Sequence, residues 1–356
     1  MLFMKTSCFL GFLLLGYLFV PVSYGQEPAV DANFLYKAND STVVTVHLLK
    51  DTAGVPACYA AHLITGVCAD GLCRPVDIHI YWDLLGQFQD YKMSRGHPIT
   101  KFDHQPLTTD DHIKLRRLLA DTSSLLRDYA VADMIDTTLK VRSGVLDAVT
   151  GATNPTFASI TVEGAMYTVY TLWHFVNGTV RQQIRRYTEA RLTDALIIAM
   201  LRSDRLDYQQ FVYERLTNEQ HRQFAPIILT LIGSNDPYIP HFAIDQLTPE
   251  LLADSVLQMR AVGFIETAAT PVQNSLLSKF RNLPLHDKSM ELLLKAVPSF
   301  SAGQLTNVFA VLEGNIPSIK GRALHTLIEL SQHKGKPYSQ YMAKLIQRIP
   351  KVNSVN

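Results

Sequence analysis

The pattern of apolar and polar positions changes character once, near residue 163. Upstream it is partly of period two. Ser41 to Leu49 is rich in Val and Thr. From Pro75 to Asp83 the chain alternates: Val76, Ile78, Ile80 and Trp82 point one way, and Asp77, His79, Tyr81 and Asp83 the other. That is the signature of a half-buried strand. Leu84-Leu85-Gly86 turns the chain, and Gln87 to Met93 returns as a hairpin partner. Thr108 to Asp111 has N-capping chemistry, and Ile113, Leu115, Leu118 and Leu119 form a helical stripe ending near Asp121. A second amphipathic segment runs from about Ser124 to Ile135, and Leu139 to Leu146 leads into a Gly-Ala turn. Residues 26–41 are polar and read as a loose lead-in.

Beyond Glu163 the stripes are helical to the end. Helices are predicted near 163–176, 179–190, 193–202, 207–216, 219–232, 237–246, 249–262, 270–281, 286–296, 303–313, 318–332 and 338–348. Breakers such as Asn177-Gly178, Ser234 to Pro237, Thr248-Pro249 and Gly335 to Pro337 separate them. Helices of this length on short turns pack as antiparallel neighbours. A dozen in a row suggest stacked pairs of the HEAT or armadillo kind. The expected architecture is an α+β unit over 42–178 and an all-α, HEAT-like region over 179–356, with the helix 163–176 docking the two.

Composition alters this picture at few points. Lys plus Arg (33) nearly cancels Asp plus Glu (32), so no basic excess argues for a nucleic-acid partner. Residues 1–25 read as an export signal: Lys5 supplies the charge, Phe9 to Val20 the apolar run, and Ser23-Tyr24-Gly25 the small residues before cleavage. No later segment has the roughly 18 apolar residues a membrane span needs. The expected destination is the periplasm or the outside, where disulfides form. Cys68 and Cys73 flank an Asp-Gly turn and are expected to pair, with Cys58 the spare thiol.

One stretch carries chemistry. Asp147-Ala-Val-Thr-Gly-Ala-Thr153 sets the hydroxyls of Thr150 and Thr153 around Gly151 and Ala152, which leave the backbone uncovered. Asn154-Pro155 has the cap and first-residue preferences of a helix start. The expected helix would aim its N–H groups at an anion on Thr153. Asp-x-x-Thr-Gly-Ala-Thr resembles the flavinylation motif of the FMN-binding domain family, which includes the covalent-flavin subunits of sodium-pumping NADH:quinone reductases. Every fixed position is present: Asp147, Thr150, Gly151, Ala152 and Thr153. The chain departs from the family at Pro155, where another Ser or Thr is usual. The resemblance implies FMN esterified through its phosphate to Thr153 by a flavin transferase, and extracytoplasmic electron transfer with a redox partner protein. The order of strand, Asp-x-x-Gly turn and strand also resembles the start of that family's domain.

Other readings compete. The motif can be a tight turn in a flavin-free exported scaffold whose helices bind a protein or envelope component. Tyr167, Tyr170 and Trp173 share one side of a helix with His174 nearby, either as a flavin-stacking wall or as core. His97, His104 and His112 lack the spacing of metal ligands, so no metal is expected; His97, Asp103 or His104 would be the players of an exported hydrolase, for which no nucleophile motif occurs.

Overall fold

The computed structural model describes residues 30–38, 42–67, 74–101, 104–136, 152–153 and 155–350. Contacts divide the chain into two compact units, one reaching Leu196 and the other starting at Ile197.

The first unit is built on a five-stranded antiparallel sheet whose neighbours follow chain order. Its strands are β1 (Val30–Lys37), β2 (Val43–Lys50), β3 (Pro56–Thr65), β4 (Val76–Trp82) and β5 (Phe88–Met93). The alternation read in β4 is the alternation of burial, with Val76, Ile78, Ile80 and Trp82 inside. Register continues that face through Tyr59, Ala61 and Leu63 of β3, which pair with Trp82, Ile80 and Ile78. The hairpin turn between β4 and β5 forms as expected. The Asp83 carboxylate accepts from the N–H groups of Leu85 and Gln87, both at 2.8 Å. Gly86 takes φ +77°, and a Cβ there would lie 2.7 Å from the Arg181 carbonyl oxygen. Only glycine meets both demands.

Helices α1 (Thr109–Ala120), α2 (Met166–Asn177) and α3 (Thr179–Glu189) cover the apolar face. The capping expected before α1 is a capping box: Thr108 Oγ1 accepts from Asp111 N at 3.2 Å, and the Asp111 carboxylate accepts from Thr108 N at 3.0 Å. Trp82 Nε1 donates to the Val176 carbonyl of α2 at 3.1 Å. Thr188 of α3 donates to the Leu84 carbonyl at 2.7 Å and bonds the Tyr59 hydroxyl at 2.8 Å.

Three expectations need correction here, and one element was not foreseen. The lead-in is not loose, because Val30–Lys37 forms the edge strand β1 with Tyr36 buried. A central strand, β3, occupies a stretch that was not read as one. The segment 124–135 is two short 3-10 turns, Leu125–Arg127 and Val131–Met134, followed by a strand residue. The first unit extends past residue 178, because α3 packs on the sheet through Thr188 and Tyr187, whose hydroxyl donates to the Asn33 carbonyl at 2.8 Å.

α4 (Asp194–Leu201) carries the chain into the second unit, which is helical throughout its described length. It contains α5 (Leu206–Tyr213), α6 (Asn218–Thr230), α7 (Ile239–Asp245), α8 (Pro249–Leu252), α9 (Ser255–Gly263), α10 (Thr270–Phe280), α11 (Asp287–Ala296), α12 (Ala302–Gly314), α13 (Gly321–Ser331) and α14 (Ser339–Arg348). The predicted helices recur with one difference. The helix expected over 249–262 breaks at Asp254, whose carboxylate accepts from Val256 N and Leu257 N and restarts the chain as α9. Contacts run α6 to α9 to α11 to α13, and separately α7 to α10 to α12. The helices thus stack in two rows. Among the described residues no helix is long and apolar enough to cross a membrane.

Buried amides close the turns of the stack. Asn315 is 2% exposed and accepts from Leu285 N at 2.7 Å while donating to the carbonyls of Leu283 and Val311, both at 3.0 Å. Gln258 donates to the Leu252 and Pro284 carbonyls and accepts from His286 N. Asn315→Leu keeps the volume and orphans the Leu285 donor and the Leu283 acceptor on the turn before α11 and the Val311 acceptor in α12. The expected loss is about 3 kcal/mol, read as a lower urea midpoint of the second unit. An unchanged midpoint would show that the turn finds other partners.

Candidate functional site

The segment with the strongest chemical signal is described only in part. Asp147, Thr150 and Gly151 lie outside the described residues. Ala152–Thr153 is a two-residue strand, β7, paired antiparallel with β6 (Ile135–Asp136): Thr153 faces Ile135 and Ala152 faces Asp136. The backbone at the acceptor position is therefore tied on one side. On the other side Pro155–Ile160 forms a six-residue 3-10 helix rather than the α-helix expected there. A helix so short contributes little macrodipole, so the expected stabilisation of an anion by a helix end does not apply.

That short helix is itself anchored. Phe157 is buried and meets the Tyr129 ring edge-to-face, with centroids 5.0 Å apart. Lys114 Nζ of α1 donates to the Ala158 carbonyl at 3.0 Å, bringing a cation to the turn. Thr161 Oγ1 donates to the Phe157 carbonyl at 3.2 Å.

The aromatic stripe of α2 divides. Trp173 is core: it is 3% exposed and its Nε1 donates to the Asp121 carbonyl at 2.8 Å. Tyr170 and His174 instead stand with Thr42, Thr65 and Phe175 around a cavity of about 230 Å³. Their rings are tilted together, with centroids 4.3 Å apart. Burial pushes the His174 imidazole below its ordinary value, against a hydrogen bond to the Leu126 carbonyl that acts the other way. Its Nε2 is closed to solvent and has no hydrogen-bond partner among the described residues. The segment from Leu126 to Asp136 therefore touches both places: Leu126 bonds His174, Tyr129 meets Phe157, and Ile135 pairs with Thr153.

A second constellation escaped the sequence reading. On the opposite face of the sheet, His62 Nε2 lies 2.7 Å from Asp77 Oδ1, and Ser94 Oγ donates to the same oxygen. His97 Nδ1 is 3.9 Å from Asp77 Oδ2, and the rings of His62 and His79 are stacked with centroids 4.4 Å apart. These residues are far apart in sequence, and only the register that places His62 opposite His79 brings them together. The Ser94 and His62 hydrogen bonds hold the Asp77 carboxyl below its usual value. Serine and histidine both bind the carboxylate rather than each other, which is not the order a hydrolytic triad needs. Among the described residues no group of three His, Cys, Asp or Glu could hold a metal ion.

The remaining candidates separate. His112 Nδ1 bonds the buried Tyr91 hydroxyl at 2.6 Å, His104 takes φ 65° in a turn, and Asp103 lies outside the described residues. Cys58 is buried in β3, while Cys68 and Cys73 lie outside the described residues.

Three histidines of the first unit contribute to its response to acid. Burial is the first cause holding His79, His112 and His174 below the usual imidazole value, and the His62 charge adds to it at His79. The unfolded chain binds these protons more readily, near pH 6.5. Their contribution to stability is therefore full above about pH 6.5 and falls as pH drops through that region toward the lower folded values. Asp77 acts in a separate window, below about pH 4, where its depressed carboxyl takes up a proton. The urea midpoint of the first unit is expected to fall from pH 7 to pH 5, and His79→Gln with His112→Gln should flatten that slope. A slope unchanged in the double variant would place the protons elsewhere.

Compared with protein-family models, with curated proteins and with solved structures, the chain matches none.

Proposed function

We propose that the protein is an exported flavoprotein that carries FMN on Thr153 through a phosphoester and acts in electron transfer outside the cytoplasm. The observation that carries the reading is the run Asp147, Thr150, Gly151, Ala152, Thr153, which fills every fixed position of the flavinylation motif. The strand pairing of Ala152–Thr153 and the anchored turn after it support it, because an acceptor on a tied backbone can be presented to a transferase. Bound FMN supplies the redox chemistry, and the chain supplies anchoring, orientation and exclusion of water. Asp147 serves the geometry of the loop or its recognition by the transferase. The helical unit is a HEAT-like array that offers a face to the redox partner.

The test is coexpression of the exported chain with a flavin transferase, followed by the intact mass of the mature protein. The expected gain is one FMN less one water, with flavin fluorescence that survives denaturation. No gain, beside a control substrate that is modified, would remove the flavin reading. The stacked helices of the second unit favour the second reading in that event, a flavin-free exported scaffold.

A further inference from the structure

The second unit carries a groove that neither the flavin motif nor the stacking of helices accounts for. It opens between α5 and α7 and encloses about 770 Å³. Three of its rings stand nearly perpendicular to one another in pairs. Tyr213, at the end of α5, meets His221 of α6 at 4.4 Å between centroids and 89°, and Phe242 of α7 at 5.8 Å and 86°. Tyr238, just before α7, leaves 68% of its surface to solvent. Two carboxylates, Glu214 and Asp245, complete the wall, and no Lys or Arg lines the groove.

The surroundings offset that negative charge only in part. Arg215 reaches Glu214 at 3.3 Å, but its guanidinium is drawn back over the Phe211 ring at 4.0 Å and donates to the Phe211 carbonyl at 2.8 Å. Lys279 donates to the main-chain carbonyl of Asp245 at 3.1 Å. The Asp245 carboxylate makes no hydrogen bond or ion pair among the described residues. Ring faces present negative potential to a cation, and flanking carboxylates add to it. Burial also raises the Tyr213 phenol, so the ring stays neutral and the charge resides on the carboxylates.

We propose that this groove binds a lysine- or arginine-bearing extended segment of a partner protein, with the cation held among Tyr213, Tyr238 and Phe242 and neutralised by Glu214 and Asp245. The groove is larger than one ammonium group needs, and the second unit's two-row stack suits an extended ligand lying along it. The proposal is independent of the flavin and holds whether or not Thr153 is modified.

The probe is a fluorescein-labelled hexalysine peptide titrated into the mature chain, beside the same peptide fully acetylated on Nε. Hexalysine should bind and the acetylated peptide should bind at least about tenfold more weakly. Glu214→Gln with Asp245→Asn should weaken hexalysine about tenfold. Tyr238→Ala, which leaves both carboxylates, should weaken it about two- to fivefold. Neutralising two carboxylates elsewhere, Glu313→Gln with Glu329→Gln, should leave it unchanged. Equal binding of the acetylated peptide would make the groove a site for neutral ligands and overturn the proposal. So would an equal effect of the two carboxylate pairs, which means unspecific charge attraction, or no binding of hexalysine at millimolar peptide.

Discussion

Trp82→Ala is expected to unfold the first unit at moderate urea. Trp82 is fully buried in β4, opposite Tyr59 on one neighbouring strand and Phe88 on the other. Its ring lies 5.9 Å from Phe175, and its Nε1 donates to the Val176 carbonyl. Truncation opens a cavity where sheet and α2 meet, and it orphans a carbonyl near the end of that helix. Large-to-small changes of an aromatic core residue cost about 3–5 kcal/mol, against a whole stability of about 5–15 kcal/mol for a domain. Trp82→Phe keeps most of the volume and loses the hydrogen bond, so it should cost nearer 1–2 kcal/mol. The chain has two tryptophans, so Trp173 remains as the fluorescent reporter of unfolding in both variants. A loss below about 0.5 kcal/mol in Trp82→Ala, within the range of a surface change, would mean that α2 is not held to the sheet at this residue.

The elements legible in the sequence are those whose pattern is set by one solvent boundary. β4 alternates because one face meets α2 and the other is open, and the stacked helices stripe because each shows one side to its neighbours. β3 was hidden for a physical reason. Ala60, Ala61 and His62 have weak strand preference, and the strand is held by position between β2 and β4, where the small Ala61 packs at 1% exposure. Strand preference of this kind belongs to the surroundings more than to the residue. β1 was hidden because an edge strand buries little: Tyr36 is inside while Leu35 is 71% exposed. At the end of β3 and β4 the same limit applies to chemistry. His62, Asp77, Ser94 and His97 are unremarkable in sequence, and only pairing makes them a cluster. The flavin motif is the reverse case, legible as five fixed letters while its helix prediction failed. Asn154-Pro155 reads as a helix start, yet Ala152–Thr153 is a paired strand and Pro155–Ile160 a 3-10 turn pinned by Phe157 and Lys114. Tertiary anchoring overrode local preference.

Thr153→Ala should abolish flavin attachment outright while leaving the fold intact. The change removes the one oxygen to which the resemblance assigns the phosphoester, so the expected effect is all or none rather than a shift in rate. Alanine retains the strand geometry of β7, whose pairing with Ile135 runs through the main chain. Thr150→Ala is the informative neighbour, because it removes the other hydroxyl of the motif and should only reduce attachment. Thr153→Ser restores an acceptor oxygen without the methyl group and should restore attachment in part. Each variant is coexpressed with the transferase, weighed intact and compared in its urea midpoint with the wild type. Attachment in Thr153→Ala at the wild-type level would move the flavin to another acceptor, with Thr150 the first to examine. Loss of attachment together with a collapsed midpoint would assign Thr153 to the fold rather than to the flavin. Thr153→Ser then decides, since a residue needed only for the strand tolerates serine in stability whether or not flavin returns.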